Sequence, residues 1–476
     1  MNKNSCMLNL IDRFLADDQN RTALKLYNGR QITDVSFRDF AGDILDTAGS
    51  LAENGIVHRH IALVGPSGYE WLVAFFAILV SGNVGVPLNP ALPADVQQAQ
   101  CALADVYAVC GETDAVAKIA GARVGIDYAD MHAKTAFSIA DAPRPQPEDT
   151  ALLLFTNGTT GQSKAAEITY INLESSLVSA EGVFSADGME KIMSVLPLYH
   201  IAGLRGMLAM LYRFRTMCLS RGPMYLFQDL RAFSPSYVHL VPMMAESVAK
   251  ILKNAPKKED RAKFLGSDLC RICIGGASVH PDICSTLIRE GITIDIGYAM
   301  TETTGVGTWG QWDAAHPNTV GLLSDELACR VEDGELLFKG RAVMKGYYKD
   351  PAATQEVIED GWLHSGDLGF CDAEGRYFIT GRKKNLIVMP NGEKINPEEL
   401  ERQLMDGKAI SECMIHHNGQ VLCADVFAQD REQAAERIAR YNSDVPLPFR
   451  IHTVRYLDQP LSRTGIGKLH RNGMNT

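Results

Sequence analysis

The sequence predicts an α/β fold, and three observations carry the prediction. Apolar runs of strand length alternate with amphipathic stretches of helical period up to about residue 380. Most of those runs end in Gly, Pro or a polar turn, the places where doubly wound sheets hold ligands. After residue 320 the texture changes to short alternating strands and then to a charged C-terminal region.

In chain order, the strand candidates are HIALVG (60–65), ALLLF (151–155), KIMSVLPL (191–198), YVHLVP (237–242), RICIGG (271–276) and ITIDIGY (292–298). WLVAFFAILV (71–80) is the longest apolar run. A bilayer span needs about 20 apolar residues, and this run stops at Ser81-Gly82, so a buried helix is expected. ELLFKG and RYFITGR read as short strands, with Ala373-Glu374-Gly375 as the turn of a hairpin. No internal repeat or low-complexity tract interrupts the pattern. A domain boundary is expected at Arg382–Asn385, dividing the chain into 1–383 and 384–476.

The chain has 476 residues, 46% of them hydrophobic, and a net charge of −11. That balance argues against nucleic-acid binding, which calls for a basic face. It leaves an anionic substrate open, because a few local lysines hold a phosphate inside an acidic protein. Eleven scattered cysteines and an N-terminus with no secretory segment lead us to expect a reduced, cytoplasmic protein without a membrane span. Cys270, Cys273, His280 and Cys284 have nearly zinc-like spacing. However, Cys270 and Cys273 lie on an expected strand and point to opposite faces, so buried free cysteines are expected instead of a metal site.

The stretch Thr156-Asn157-Gly158-Thr159-Thr160-Gly161-Gln162-Ser163-Lys164 follows ALLLF. It lacks the Gly-Lys-Ser/Thr ending of a Walker A loop. Gly158 and Gly161 allow backbone N–H groups to converge on an anion. Thr156, Thr159 and Thr160 add hydroxyls, and Lys164 adds a charge. Taken alone, the stretch reads equally as a polar surface loop.

Other segments decide between these readings. The loop resembles the phosphate loop T-S-G-T-T-G-x-P-K-G of the adenylate-forming superfamily, which includes acyl-CoA synthetases, peptide-synthetase adenylation domains and luciferases. Asn157, Ser163 and Ala165 stand in place of Ser, Pro and Gly. Gly297-Tyr-Ala-Met-Thr-Glu-Thr303 resembles the Y-G-M-T-E segment, with Ala299 in place of glycine. VMKGYYKDPAAT (343–354), GWLHSGDLGF (361–370), GRKKNLIVMPNGEKINPEELE (381–401) and Pro460-Leu-Ser-Arg-Thr-Gly-Ile-Gly-Lys468 follow in family order. The resemblance spans 150–470, and WLVAFFAILVSGNVGVPLNP (71–90) extends it towards the N-terminus.

This resemblance implies a large N-terminal domain of doubly wound sheets with a small β-barrel-like part, followed by a small, mobile α+β C-terminal domain. It implies attack of a carboxylate on the α-phosphate of ATP with Mg2+ present, then transfer of the acyl group to a thiol. Glu302 is the implied magnesium ligand, with Thr159 beside it, and Thr301 belongs to the same segment. Thr156, Gly158, Thr159, Thr160, Gly161 and Lys164 form the implied phosphate loop. Tyr298 would stack on adenine, and Gly276 and Ala277 would let the purine approach backbone. Asp367 would accept both ribose hydroxyls, which suits a two-oxygen acceptor, and Arg382 would contact ribose or phosphate. Lys384 falls at the implied hinge, and Lys468 would neutralise charge between carboxylate and α-phosphate. Apart from the motifs, each of these side chains reads as an ordinary turn, surface or core residue.

LPLYHIAGL (196–204) resembles the family segment in which a residue, here His200, borders the carboxylate site. Equally, His200 reads as a satisfied core histidine. No acidic residue occurs between Lys191 and Gln228, so a substrate ammonium would lack a partner. The expected substrate is therefore a hydrophobic fatty or aryl acid. His200–Gly203, Val241–Met244, Gly276–Ser278 and Gly305–Gly307 are the expected pocket segments, with Met243 and Met244 as a deformable wall. Arg205 is the one charge near them. It reads as a surface helix arginine, or as the reader of a second carboxylate. Coenzyme A is the expected thiol. Acyl carrier protein as the acceptor and a degenerate nucleotide-binding protein are the two alternatives.

Overall fold

The computed structural model describes residues 5–119, 123–131, 133, 136–157, 163–183, 189–255, 257–389, 394–405, 409–462 and 471. The chain divides into two compact units. The first holds residues up to Pro317 with Gly321–Ala328 and Phe338–Leu363; the second holds Asn318–Val320, Cys329–Leu337 and His364–Thr476. The division passes through short strands, so neither unit is one unbroken piece of chain.

The first unit is built on two wound sheets. One runs, in spatial order, Gly346–Tyr347, Ser163–Thr169, Thr150–Asn157, Val84–Pro87, His60–Leu63, Ala108–Gly111 and Val124–Asp127. Its last five strands pair in parallel. Strands buried on both faces need apolar residues at every position, which is why HIAL and ALLLF read as unbroken hydrophobic runs. The other sheet includes Gly307–Gln311, Thr293–Ala299, Arg271–Ile274, Tyr237–Leu240, Lys191–Ser194, Thr216–Leu219, Thr22–Tyr27 and Ile32–Ser36 in that order. Pairing is parallel from Thr293–Ala299 to Thr22–Tyr27 and antiparallel at both flanks. Each strand expected from the sequence is present.

The run at 71–80 is a helix, Tyr69–Val80, and every residue from Trp71 to Val80 is buried. An all-round apolar helix of this length belongs inside a core. It packs on the helix Phe37–Glu53, whose Ser36 cap accepts from the Asp39 N–H. Among the described residues, no helix is long and apolar enough to cross a membrane.

The second unit has its own core of Ile387, Leu400, Leu404, Ile415, Leu422, Val426, Ile438 and neighbours. The helices Pro397–Met405 and Arg431–Asp444 accompany a three-stranded sheet of Glu412–His417, Leu422–Phe427 and Ile451–Tyr456. The expected hairpin is present, with Trp362–Cys371 antiparallel to Arg376–Arg382 and Gly375 at φ +81° in the turn. Thus the fold is α/β, with a large sheet-rich N-terminal domain and a separate C-terminal domain.

Candidate active site

The hydroxyl-rich loop joins two antiparallel strands. Thr156 pairs with Lys164 and Asn157 with Ser163, so the two strands that flank the loop pair up to its edges. Gly158, Thr159, Thr160 and Gly161 lie outside the described residues. Lys164 is the second residue of the return strand Ser163–Thr169, and Nζ stands 5.0 Å from the centroid of the Tyr347 ring. Tyr347 is held there by the edge strand Gly346–Tyr347, in register with Ala166.

Glu302 joins this group. It lies in the single turn Thr301–Thr303 that follows the strand Thr293–Ala299. Tyr347 donates its phenol O–H to Glu302 Oε1 over 2.9 Å. Burial, then the Glu302 charge, push the phenol pKa well up, so the hydroxyl remains a donor at any working pH. The turn is pinned from behind: Met344 N–H donates to Glu302 O over 2.8 Å, and Thr304 Oγ1 donates to Ala342 O over 2.8 Å. Thr304 takes a left-handed conformation, φ 53°, uncommon for a residue branched at Cβ. The structure therefore brings Lys164, Tyr347 and Glu302 together from segments far apart in sequence. Tyr347 had no expected role, although it lies inside the recognised VMKGYYKDPAAT segment.

Tyr298 is half-buried in the same strand, with its ring 6.1 Å from that of Phe338. Gly276 has φ +85° and is exposed, and Ala277 is half-buried beside it. The expected pocket segments adjoin in two pairs, 305–307 with 200–203 and 276–278 with 241–244. A Cβ at Gly305 would fall 3.1 Å from Ile201 Cγ1, one at Gly276 would fall 3.9 Å from Val241 Cγ1, and one at Gly275 would fall 3.3 Å from His239 Nε2. Met244 packs on the core, whereas Met243 is 60% exposed. His200 caps the helix Ile201–Tyr212: Ala202 N–H donates to Nδ1 over 3.3 Å. That bond makes Nδ1 the acceptor and leaves the proton on Nε2. His200 is half-buried and thus not a core histidine.

Arg205 is half-buried and not the exposed helix arginine expected. Nε is out of contact with solvent and has no hydrogen-bond partner, and Nη2 donates to Ser179 Oγ over 3.0 Å. Burial pulls its pKa down to about 10.

In the second unit, Asp367 and Arg382 face each other across the hairpin. Arg382 Nε is 2.7 Å from Asp367 Oδ1, and Nη2 donates to Oδ2 over 3.3 Å. Asp367 is 3% exposed, and its two carboxylate oxygens are both turned to the Arg382 guanidinium. Lys384 is exposed in the turn Lys383–Asn385, while Lys383 donates to Glu335 Oε2 over 2.7 Å. Lys468 lies outside the described residues.

All eleven cysteines are free. Among the described residues no group of three or more His, Cys, Asp or Glu could hold a metal. Cys273 and Cys284 are buried as expected. Cys270 is exposed, because it precedes the strand Arg271–Ile274 instead of lying within it.

A family model described as AMP-binding enzyme matches residues 11–348. An oxalate–CoA ligase of Arabidopsis thaliana is 25% identical over 453 residues, covering 86% of this chain and 87% of the relative. A long-chain-fatty-acid–CoA ligase of Mycobacterium bovis is 26% identical, covering 80% of this chain and 75% of the relative. Among solved structures, the O-succinylbenzoate coenzyme A synthetase of Bacillus subtilis in complex with ATP and magnesium ion has a TM-score of 0.81. It is 22% identical and covers 98% of this chain and 99% of that one.

Proposed function

The chain belongs to the AMP-binding enzyme family, and on that premise we propose that it is an ATP-dependent acid–thiol ligase. In this reading it activates a hydrophobic carboxylic acid, fatty or aryl, as the acyl-adenylate and passes the acyl group to coenzyme A, in a cytoplasmic setting. One carboxylate oxygen attacks the α-phosphorus, the bond to the β-phosphate oxygen breaks, and pyrophosphate leaves. The thiol sulfur then attacks the acyl carbon, the thiol proton is released, and AMP departs with the carboxylate oxygen that it gained.

The observation that carries the reading is the cluster of Lys164, Tyr347 and Glu302. The first step crowds negative charge at one point, and fixed positive charge together with fixed donors is what lowers its barrier. Lys164 and the backbone of 156–161 would hold the phosphates, with Lys468 adding charge at the α-phosphate. Tyr298, Gly276 and Ala277 would receive adenine, while Asp367 and Arg382 would receive the ribose. His200, with its proton on Nε2, is suited to donate to the substrate carboxylate.

The residues also fit Mg2+. Among the described residues Tyr347 is the only hydrogen-bond partner of the Glu302 carboxylate, and it occupies one oxygen. A hard cation held by a single carboxylate, substrate phosphates and water needs no larger cage. Thr159 is the second proposed contact. When bound, the ion would neutralise phosphate charge.

Pyrophosphate release should be screened over fatty, aryl and dicarboxylic acids, with and without coenzyme A. The reading requires release with at least one acid and a thioester of coenzyme A as product. Release without a thioester, restored by an acyl carrier protein, would replace coenzyme A as the acceptor. Binding of ATP without turnover of any acid would mean a degenerate nucleotide-binding protein.

A further inference from the structure

Arg205 carries a positive charge that nothing in the described structure balances. It lies on the second turn of the helix Ile201–Tyr212. Gly305 covers its stem: a Cβ there would fall 2.7 Å from Arg205 Cδ and 3.2 Å from Arg205 Cβ, and φ is +73°. Both the space and the conformation demand glycine. The guanidinium uses one of its donors on Ser179 Oγ, and that hydroxyl donates onward to Ser176 O over 2.8 Å. Nε is buried without a partner.

The titratable groups that influence Arg205 are Cys273 and Tyr237, and Arg205 in turn acts on His239. All three are neutral. Burial pushes the thiol and the phenol up, and burial followed by the Arg205 charge pulls the imidazole down to about 4. No carboxylate among the described residues pairs with Arg205. A guanidinium nitrogen shut off from solvent without a partner is costly, and a guanidinium offers five donors in a planar fork that matches a carboxylate.

Its location says which carboxylate. Gly305 lies three residues beyond Glu302 and also touches Ile201, next to His200. Gly206 and Gly275 lie against the two ring nitrogens of His239: a Cβ at Gly206 would make ordinary contact with Nδ1 at 3.6 Å, whereas one at Gly275 would crowd Nε2 at 3.3 Å. Ile201 and Gly305 belong to segments expected to line the acyl pocket, and Gly275 directly precedes a third.

We propose that Arg205 binds a second carboxylate on the acid substrate, so that the preferred substrates are dicarboxylic acids whose two carboxylates are separated by a hydrocarbon or aryl body. The inference rests on the ligase reading and narrows its substrate class. One carboxylate reacts at the α-phosphate while the other neutralises Arg205, with His239 adding a neutral hydrogen-bond partner. A monocarboxylic acid would leave the guanidinium unpaired, and sites built to bind a polar group reject analogues that lack it far more strongly than they reject a change of one methylene.

The test uses the full chain and straight-chain dicarboxylic acids of three to eight carbons, each against its monomethyl ester, with kcat/KM read from pyrophosphate release. The diacid should exceed its ester by about 10²-fold, since the lost bond is charge-assisted. Arg205→Met keeps the stem and removes the fork, and should bring that ratio close to one. Arg205→Lys keeps the charge without the bidentate geometry, and should give an intermediate ratio. If Arg205→Met shows no ATP-dependent rise in melting temperature, and so is not folded, the ratio of the lysine variant decides. A ratio that is the same in wild type and variants, or a wild type that prefers the esters, overturns the inference and leaves the ligase reading standing. Absence of pyrophosphate release from every acid in the wild type overturns both.

Discussion

Tyr347→Phe removes one oxygen atom and tests whether Glu302 is a positioned metal ligand. The ring remains, so the contact with Lys164 Nζ, 5.0 Å from the centroid, and the backbone pairing with Ala166 both persist. Only the 2.9 Å bond to Glu302 Oε1 is lost. A hydrogen bond to a charged acceptor contributes about 1.5–3 kcal/mol, which corresponds to about 10–100-fold in affinity. Removal of a partner behind a metal ligand typically costs a factor of the same size. The assay is the initial rate of pyrophosphate release against free Mg2+ at saturating ATP and acid. The concentration giving half-maximal rate should rise about 10-fold or more, while the KM for the acid stays close to wild type. A Mg2+ dependence that superimposes on wild type would refute the reasoning, whether or not the maximal rate changed.

Three further outcomes follow from the same account. Lys468→Ala should slow pyrophosphate release by about 10²–10³-fold yet form thioester from supplied acyl-adenylate and coenzyme A at close to the wild-type rate; equal slowing of both steps would make Lys468 merely structural. Lys384→Pro fixes φ at the proposed hinge and should impair thioester formation more than adenylation, which separate half-reaction assays resolve. His239, held neutral down to about pH 4 against about 6.5 when unfolded, takes up its proton preferentially in the unfolded chain, so it contributes stability above pH 6.5 that is lost as pH falls towards 4. His239→Gln should therefore flatten the fall in melting temperature across that window, and an unchanged slope would contradict the assignment.

How much of this was legible in the sequence depended on the range of the forces involved. Strands such as 60–63 and 150–157 were visible because parallel strands buried on both faces need uninterrupted apolar residues. The helix at 71–80 was visible because ten consecutive apolar residues leave no face for water. The turn at Ala373-Glu374-Gly375 was visible because a tight turn accepts glycine at positive φ. What escaped was long-range. Nothing local to Tyr347 announces that its hydroxyl serves a glutamate 45 positions earlier. Arg205 reads as a surface residue because the groups set around it, Ser179, Tyr237, Cys273 and Gly305, are scattered over more than a hundred residues. Similarly, the pairing of Asp367 with Arg382 follows from hairpin register, including a bulge between Leu368 and Gly369, which composition does not reveal. Asn318–Val320 and Cys329–Leu337 join the second unit through tertiary contacts that leave no mark on their own sequence.

The central claim is that a carboxylate oxygen becomes bonded to the α-phosphorus of ATP. Turnover of an acid labelled with 18O in both carboxylate oxygens, with ATP, Mg2+ and coenzyme A, tests it directly by mass spectrometry of the products. The account predicts AMP carrying one 18O atom, unlabelled pyrophosphate, and a thioester that retains the other. Label in inorganic phosphate, with ADP as the nucleotide product, would place the attack at the γ-phosphorus and contradict it.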